Sequence, residues 1–217
     1  MIEGFPGAGL ASRISSACLV SSLKLPLIAE LKSPHFPALA TVLGKRAQAP
    51  ARGYADGKIK VAIFLGDFVP GQIASYELAS AIVGWAKRKE CALIVTSYSV
   101  PVGGEVSEHE LTAVVNGSKA EEKMKKVGIP LADLTAVGGT AGRLLLQGGE
   151  AEIPVIALLV KAHKDLQDFE AGLKLAEAVM QIVPGARCDL SELRVEAEKT
   201  EGALRKIQVH AAPDVYQ

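Results

Sequence analysis

The chain has few of the residues that usually mark a metal site or a disulfide-stabilised fold. Its three cysteines, Cys18, Cys91 and Cys188, are odd in number, lie far apart and form no C-x-x-C pair. This spacing indicates neither a disulfide framework nor a zinc site. The sequence also lacks a recognisable catalytic constellation. We therefore expect no metal, no cofactor and no enzymatic activity.

Charge and long apolar runs are also missing. The 24 basic and 24 acidic residues cancel, and no basic patch stands out, which argues against binding to nucleic-acid phosphates. No apolar run approaches the ~20 residues of a membrane span, and the first residues form no signal peptide. We expect a soluble, cytoplasmic protein that binds no membrane. Aromatics make up 5% and hydrophobics 49%, so Ala, Val, Leu and Ile must build the core.

What the sequence does contain is an alternation of apolar strands and helices. Strands are predicted at 27–31, 38–43, 60–65, 91–96, 111–115 and 153–160, and helices at 10–22, 78–86, 119–127 and 140–147. Continuous apolar strands separated by helices indicate an α/β fold whose sheet is buried on both faces. The length fits one large α/β domain with an appendage.

The last third of the chain has a different pattern. Apolar residues recur at spacings of three and four over 166–183 and again over 190–207, and Pro184-Gly185 separates the two runs. Matching seams joined by a short break predict an antiparallel helical hairpin. We therefore divide the chain into an α/β core domain at 1–162, a C-terminal helical hairpin packed on the core at 163–207, and a flexible tail at 208–217.

The tail ends in Val215-Tyr216-Gln217, which presents an apolar side chain, a phenol and a terminal carboxylate together. Such an end can enter a pocket on a partner protein. The alternative is an accidental frayed terminus, and composition gives such an end to roughly one chain in a hundred.

Two glycine-rich turns are possible ligand sites or purely structural turns. Gly7 and Gly9 begin an approximate G-x-G-x-x-G pattern, which typifies dinucleotide binding only after a full strand. Gly138 and Gly139 open the densest glycine cluster, which could hold a phosphate on backbone N–H groups. This cluster lacks the GK[ST] ending of a P-loop. Tight turns with close packing are favoured at both positions.

Polar residues at predicted strand ends and loops are weaker candidates. Asp67 follows a buried strand and Arg52 lies in a predicted loop, positions typical of ligand contacts but also of caps and salt bridges. Glu105 and the segment Glu108-His109-Glu110 could supply an acid and a base or metal ligands. A solvated polar loop is the favoured interpretation of that segment.

Several segments, taken in their order along the chain, resemble the PAC-two family of proteasome assembly chaperones. The resemblance covers nearly the whole chain. Ser12 stands where the family usually repeats a glycine. The segments are Gly4-Phe5-Pro6-Gly7-Ala8-Gly9-Leu10, Pro34 to Pro37, Pro50, Ala79 to Trp85, Gly138-Gly139-Thr140-Ala141-Gly142 with the leucines after it, and Cys188-Asp189-Leu190-Ser191-Glu192-Leu193.

The resemblance implies a three-layer α/β/α fold of the phosphorylase/hydrolase type, with a mostly parallel or mixed sheet. It also implies homo-oligomers that dock on the α-ring of the proteasome core particle, as assembly chaperones or ATP-independent activators. Val215 would fill an apolar groove, Tyr216 would hydrogen-bond in the pocket, and the Gln217 carboxylate would pair with a lysine. The alternative is a nucleoside-phosphorylase-like or nucleotide-binding enzyme on the same fold, using Asp67, Glu105 and the glycine turns.

Overall fold

The computed structural model describes residues 1–43, 45–104, 106, 108–191 and 193–195 of the chain. Its strands are β1 (Ile2–Gly4), β2 (Leu27–Leu31), β3 (Thr41–Leu43), β4 (Arg46–Gln48), β5 (Ala51–Asp56), β6 (Val61–Gly66), β7 (Ile94–Val102), β8 (Leu111–Asn116) and β9 (Val155–His163). Its helices are α1 (Ala11–Ser22), α2 (Gln72–Arg88), α3 (Ser118–Val127), α4 (Gly139–Glu150) and α5 (Phe169–Ile182), with a 3-10 turn at Ala8–Leu10.

A mixed seven-stranded sheet forms the centre of the described structure, in the order β2-β5-β6-β1-β7-β9-β8. The four middle strands, β6, β1, β7 and β9, run parallel. The outer strands β5, β2 and β8 join antiparallel to their neighbours. All six residues of β6 and the first six of β9 are buried, as expected for strands covered on both faces.

Helices cover each face of this sheet and give the fold three layers. On one face, α1, α3 and α5 pack over a core that includes Leu19, Met124 and Leu175. On the other face, α2 and α4 pack over a core that includes Leu78 and Leu144. The predicted three-layer α/β/α fold is therefore confirmed. Among the described residues, no helix combines the length and apolar character that crossing a bilayer requires.

Helix α1 lies close to the sheet and to α5 because small residues stand at the contacts. A Cβ added to Gly4 would collide with the Ser16 side chain. A Cβ added to Gly172 of α5 would lie 2.6 Å from a methyl carbon of Ile14. Glycine at these two positions therefore lets the backbones approach more closely than any other residue would.

The predicted C-terminal hairpin lies only partly within the described residues. Its first helix is α5, and residues 190, 191 and 193–195 are also helical. Leu193 is buried with Ile14, Leu173 and Ala176, so the start of the second helix packs against α1 and α5. The rest of that helix and the tail at 208–217 lie outside the described residues, and the domain division stays a prediction.

The expectation about the cysteines was wrong. Cys18 of α1 and Cys188 form a disulfide across 170 positions of sequence, and Cys91 is free. Spacing along the chain does not reveal this pair, because packing of the residues after α5 against α1 brings the two sulfur atoms together. A disulfide of this kind occurs in oxidising compartments and also inside the cells of hyperthermophiles.

Two local predictions also need correction. Arg52 does not lie in a loop but in β5, a strand that the sequence pattern did not reveal because a charged residue interrupts it. The strand predicted at 38–43 is shorter, covering Thr41–Leu43, and pairs with β4 in a separate two-stranded sheet.

Candidate functional site

The carboxyl ends of the parallel strands meet at one edge of the sheet, where open α/β folds usually bind ligands. At this edge β1 ends at Gly4, β6 at Gly66 and β9 at His163. The side chains that follow these strands form three neighbouring groups: an ion-pair cluster around Asp67, a cavity beside Glu3, and a hydrogen-bonded group around Asp168.

Asp67, directly after β6, lies at the centre of a cluster in which both carboxylate oxygens are occupied. Arg13 of α1 donates to Oδ1 at 2.8 Å, and Arg52 of β5 donates to Oδ2 at 2.5 Å. The Thr41 hydroxyl also donates to Oδ2, at 2.6 Å. This predicted ligand residue therefore joins α1, β3, β5 and β6 to one another.

Each nitrogen of the Arg52 guanidinium has a hydrogen-bond partner within the protein. Arg52 is 1% exposed, and its other nitrogens donate to the Tyr54 hydroxyl at 3.0 Å and to the Ala49 carbonyl at 2.7 Å. Burial raises the pKa of Asp67, but the hydrogen bonds from Thr41, Arg52 and Arg13 outweigh burial and hold that pKa below its ordinary value. The carboxylate is therefore a stable anion with no oxygen left over for a substrate.

A cavity of about 230 Å³ opens between the turn after β1 and the N-terminus of α4. Gly7, Gly138 and Gly139 line it, so the structure brings the two predicted glycine turns to one place. Asp67 is not among the described residues of its wall. The enzymatic alternative requires Asp67 and the glycine turns in one site. The walls of this cavity do not bring them together.

Glu3 contributes a buried carboxyl group to the wall of this cavity. The residue is 2% exposed, and its oxygens accept hydrogen bonds from the Phe5 N–H at 2.8 Å and from the Thr96 hydroxyl. Burial raises the pKa of Glu3 to about 7, and the two hydrogen bonds lower it only in part. At neutral pH this group is thus divided between its neutral and ionised forms.

Sequence reasoning missed five polar residues of this wall, Glu3, Ser97, Tyr98, Ser99 and Thr140. One available signal was the run Ser97-Tyr98-Ser99, in which polar residues follow the apolar segment predicted as a strand at 91–96. In the structure this run lies within β7. Another signal was a lone acid inside the apolar start of the chain. Both signals point to the strand-end edge at which open sheets bind ligands.

Gly9 has a structural role different from that of Gly7. Its φ is +64°, and a Cβ there would lie 2.8 Å from the Cβ of Asp168. The Gly9 carbonyl accepts a hydrogen bond from the Asp168 N–H at 2.8 Å. Ser12, at the position where the resemblance expects glycine, accepts a 2.7 Å hydrogen bond from the Ser97 hydroxyl. The first glycine turn is therefore fixed to the loop before α5, and the start of α1 is fixed to β7.

His109 approaches Asp168 rather than a metal site. Its Nε2 lies 2.9 Å from Oδ1 and 3.0 Å from Oδ2 of Asp168, which also accepts from the N–H groups of Ala171 and His163. Burial raises the pKa of Asp168, but these hydrogen bonds outweigh burial and lower it overall. Glu110 pairs with Lys161 at 2.7 Å.

No group of three or more possible ligands is positioned to hold a metal ion among the residues that the structure describes. Glu105, another acid proposed for catalysis or metal binding, lies outside them, and Glu108 is exposed. The three predicted partner-binding residues, Val215, Tyr216 and Gln217, also lie outside the described residues.

The family model described as the PAC2 family matches residues 1–208. The chain belongs to the PAC2 family. No curated protein sequence matches this PAC2 chain significantly. Among solved structures, it is similar to Pyrococcus furiosus PbaA, an archaeal homologue of a proteasome-assembly chaperone. The TM-score is 0.86 at 23% identity, covering 96% of this chain and 87% of PbaA.

Two further structures extend this similarity of fold. Pyrococcus furiosus PbaB, an archaeal proteasome activator, matches the PAC2 chain with a TM-score of 0.80 at 24% identity, over 95% of this chain and 92% of PbaB. A PAC2 family protein from Streptomyces avermitilis matches with a TM-score of 0.72 at 15% identity, over 95% of this chain and 94% of that one.

Proposed function

We propose that this PAC2 protein is a proteasome assembly chaperone or ATP-independent activator that acts as a homo-oligomer. Its C-terminal Val215, Tyr216 and Gln217 enter pockets of the α-ring of the proteasome core particle. The role is one of protein binding rather than catalysis, and it places the protein in the cytoplasm. The observation that carries the proposal is family membership over residues 1–208. The apolar side chain, phenol and terminal carboxylate of the tail add to its support.

The structural neighbours support this choice within the family. PbaA is a homologue of a proteasome-assembly chaperone and PbaB is a proteasome activator, and the match to each covers at least 95% of this chain. Fold alone does not assign a function. The tail therefore has to supply the specific contact.

The tail offers three kinds of contact together: an apolar side chain, a phenol and a terminal carboxylate. A buried aromatic ring beside a charge-assisted hydrogen bond is a typical energetic hot spot. A single tripeptide binds weakly, because it offers little area. Several tails on one oligomer bind by avidity when they reach neighbouring pockets together.

The segment that leads to the tail begins from a fixed point on the body. Cys188 is bonded to Cys18, the Asp189 N–H donates to the Ser22 hydroxyl at 2.8 Å, and Leu193 is buried. Arg194 also pairs with Glu177 of α5 at 3.0 Å. A fixed origin favours multivalent docking, since it limits the volume that each tail searches.

The enzymatic alternative receives less support from the described residues. Asp67 is fully engaged with Arg13, Arg52 and Thr41, and it does not line the cavity formed by the glycine turns. A nucleoside phosphorylase would release free base from a nucleoside in the presence of phosphate. We expect no such release, and chromatography of the reaction mixture measures it.

The proposal is tested by deleting Tyr216 and Gln217. We expect the truncated protein to lose binding to an archaeal-type core particle in a pull-down and to lose stimulation of peptide hydrolysis. Its oligomeric state, measured by light scattering after size exclusion, should equal that of the full chain, because the deletion leaves the body intact.

A matched pair of variants separates the carboxylate from the side chains. Adding one alanine after Gln217 keeps every side chain but displaces the terminal charge, and it should weaken binding nearly as much as the deletion. His210→Ala, within the predicted tail at 208–217 but outside the terminal tripeptide, should leave binding unchanged. Stimulation of peptide hydrolysis that survives the deletion would show that the tail does not dock.

A further inference from the structure

The cavity between the two glycine turns has a helix N-terminus in its wall. Helix α4 spans 12 residues from Gly139 to Glu150, and its N-cap residue, Gly138, provides no side-chain cap. Gly138, Gly139, Thr140 and Ala141 all line the cavity. The first N–H groups of an α-helix have no partner within the helix, and the helix dipole adds positive potential there. This end of α4 therefore favours an anion.

Two buried hydroxyl groups give an independent indication that the cavity binds a ligand. Ser99 is 4% exposed and Thr140 is 6% exposed, and both line the cavity. Neither Ser99 Oγ nor Thr140 Oγ1 has a hydrogen-bond partner in the described part of the chain. A buried polar group without a partner costs about 1–3 kcal/mol, so the great majority of such groups in native proteins are paired. A bound oxyanion would accept from both hydroxyls.

Gly7 and Gly138 of the cavity wall are not required by the packing of the protein. Gly138 has a φ of −100°, and a Cβ there would make ordinary contacts of 3.7 Å with the Tyr98 ring. A Cβ on Gly7 would approach the Ser99 Cβ no closer than 3.8 Å. Gly4, by contrast, excludes a Cβ by its contact with Ser16. The missing Cβ atoms at 7 and 138 leave space in the cavity instead.

The volume of the cavity limits the size of the ligand, and the composition of its wall limits the affinity. The volume of about 230 Å³ lies below the ~300 Å³ at which pockets for drug-sized molecules begin. None of the described lining residues is Lys, Arg or His. Recognition would depend on backbone N–H groups and hydroxyls, which suits a compact oxyanion at modest affinity.

We propose that this cavity binds a small oxyanion, namely inorganic phosphate or the phosphate group of a small phosphorylated metabolite. The N–H groups at the start of α4 and the hydroxyls of Ser99 and Thr140 donate to its oxygens. The site is independent of tail docking, and a tail-deleted protein retains it.

Glu3 is the one acidic group in the described wall, and its chemistry is compatible with this site. Its two oxygens are turned to the Phe5 N–H and the Thr96 hydroxyl. Because burial raises the pKa of Glu3 to about 7, a neutral carboxyl is accessible when an anion arrives. Removing its charge altogether should strengthen the binding of the anion.

The test uses the full chain, with amide chemical shifts measured by NMR and heats measured by calorimetry. Inorganic phosphate should shift the amides of Gly139, Thr140 and Ala141 in a saturable way, whereas chloride at equal ionic strength should not. Ribose 5-phosphate as a second probe distinguishes the two sources. Saturation by phosphate alone identifies free phosphate, and tighter binding of ribose 5-phosphate identifies a metabolite.

Variants connect the response to the wall of the cavity. Thr140→Val and Ser99→Ala should each weaken phosphate binding at least about tenfold, since each removes a hydrogen bond to a charged group. Neither should lower the melting temperature of the ligand-free protein, because each removes an unpaired hydroxyl. Thr112→Val, on β8 and away from the cavity, is the matched control. Glu3→Gln should bind phosphate more tightly.

Three results would overturn the site. One is the absence of saturable shifts with both phosphate and ribose 5-phosphate. Another is an equal response to chloride. The third is phosphate binding that both Thr140→Val and Ser99→Ala leave unchanged.

Discussion

The Asp67 cluster and the glycine cavity lie at the same edge of the sheet, yet their polar groups differ in hydrogen bonding. Around Asp67 every carboxylate oxygen and every nitrogen of Arg52 has a protein partner. In the cavity, Ser99 Oγ and Thr140 Oγ1 have no partner in the described chain. Position at a strand end is therefore a poor guide to function by itself. Whether the polar atoms are already paired distinguishes a structural cluster from a possible site.

The two regions also differ in how their acids titrate. Asp67 has a lowered pKa because its hydrogen bonds from Thr41, Arg52 and Arg13 together exceed the effect of burial. Glu3 has a raised pKa because burial dominates over two neutral donors. One carboxylate is fixed as an ion that holds the fold together, and the other can change its charge near neutral pH.

The largest effect on stability should follow Asp67→Asn. The change removes the anion between two guanidinium groups and leaves the charge of Arg52, which is 1% exposed, without a counter-ion. Breaking a buried pair in this way costs about 3–5 kcal/mol. Denaturant unfolding measures the loss.

Asp165→Asn is the control for that change, because its side chain is 69% exposed beside Lys164. We expect a change within about 0.5 kcal/mol there. If Asp67→Asn were equally mild, the cluster would not hold the fold as described.

A somewhat smaller effect should appear in the pH dependence of stability, and Glu3→Gln isolates it. Below its ordinary pKa of 4.5, Glu3 is protonated in both states and its contribution is fully present. As pH rises toward the folded pKa of about 7, the unfolded state loses its proton first, and stability falls by about 3 kcal/mol. Glu3→Gln should lack this fall.

The measurement is the free energy of unfolding of both proteins across this pH range. Asp67 and Asp168 contribute in the opposite direction, since their lowered pKa values make stability fall as pH decreases. They are common to both proteins, so the difference reports Glu3. Parallel pH profiles would contradict the raised pKa.

The smallest effects should separate the packed glycines from those of the cavity. Gly4→Ala forces a Cβ into Ser16 and should destabilise the protein by about 1–3 kcal/mol. Gly7→Ala meets nothing closer than 3.8 Å and should change stability by at most ~1 kcal/mol, in the stabilising direction.

Thermal unfolding of the two variants tests the difference, with Gly57→Ala as a control, because a Cβ there has no neighbour within 4 Å. A Gly7→Ala protein as unstable as Gly4→Ala would show that Gly7 serves packing. The distinction between the two kinds of glycine would then fail.

Much of the fold could be predicted because burial leaves a direct pattern in the sequence. The apolar segments at 60–65 and 153–160 became β6 and β9, and the predicted surface helix at 119–127 became α3. Strand β5 could not be predicted in this way, because Arg52 is buried through its ion pair with Asp67 rather than through apolar character. Hydrophobic periodicity identifies side chains that are buried because they are apolar. It does not identify charged side chains that are buried as pairs.

The candidate site was predicted in part. The glycine turns at Gly7 and Gly138 were recognised as possible ligand positions, but nothing in the sequence indicated that they face one cavity. Ser99 and Thr140 were missed, because a serine or threonine looks the same in sequence whether its hydroxyl is paired or not. The docking role of Tyr216 and Gln217 stays a prediction.

The sequence by itself determined the layers of this protein, since runs of apolar residues must be covered on both sides and their period distinguishes strand from helix. The order of its motifs along the chain also indicated the family. Only the tertiary structure decided which residues meet: Cys18 with Cys188, Asp67 with Arg13 and Arg52, and the first glycine turn with the N-terminus of α4. The physical reason is that pairing of charges, sulfurs and hydroxyls depends on distances across the fold, which local periodicity does not encode.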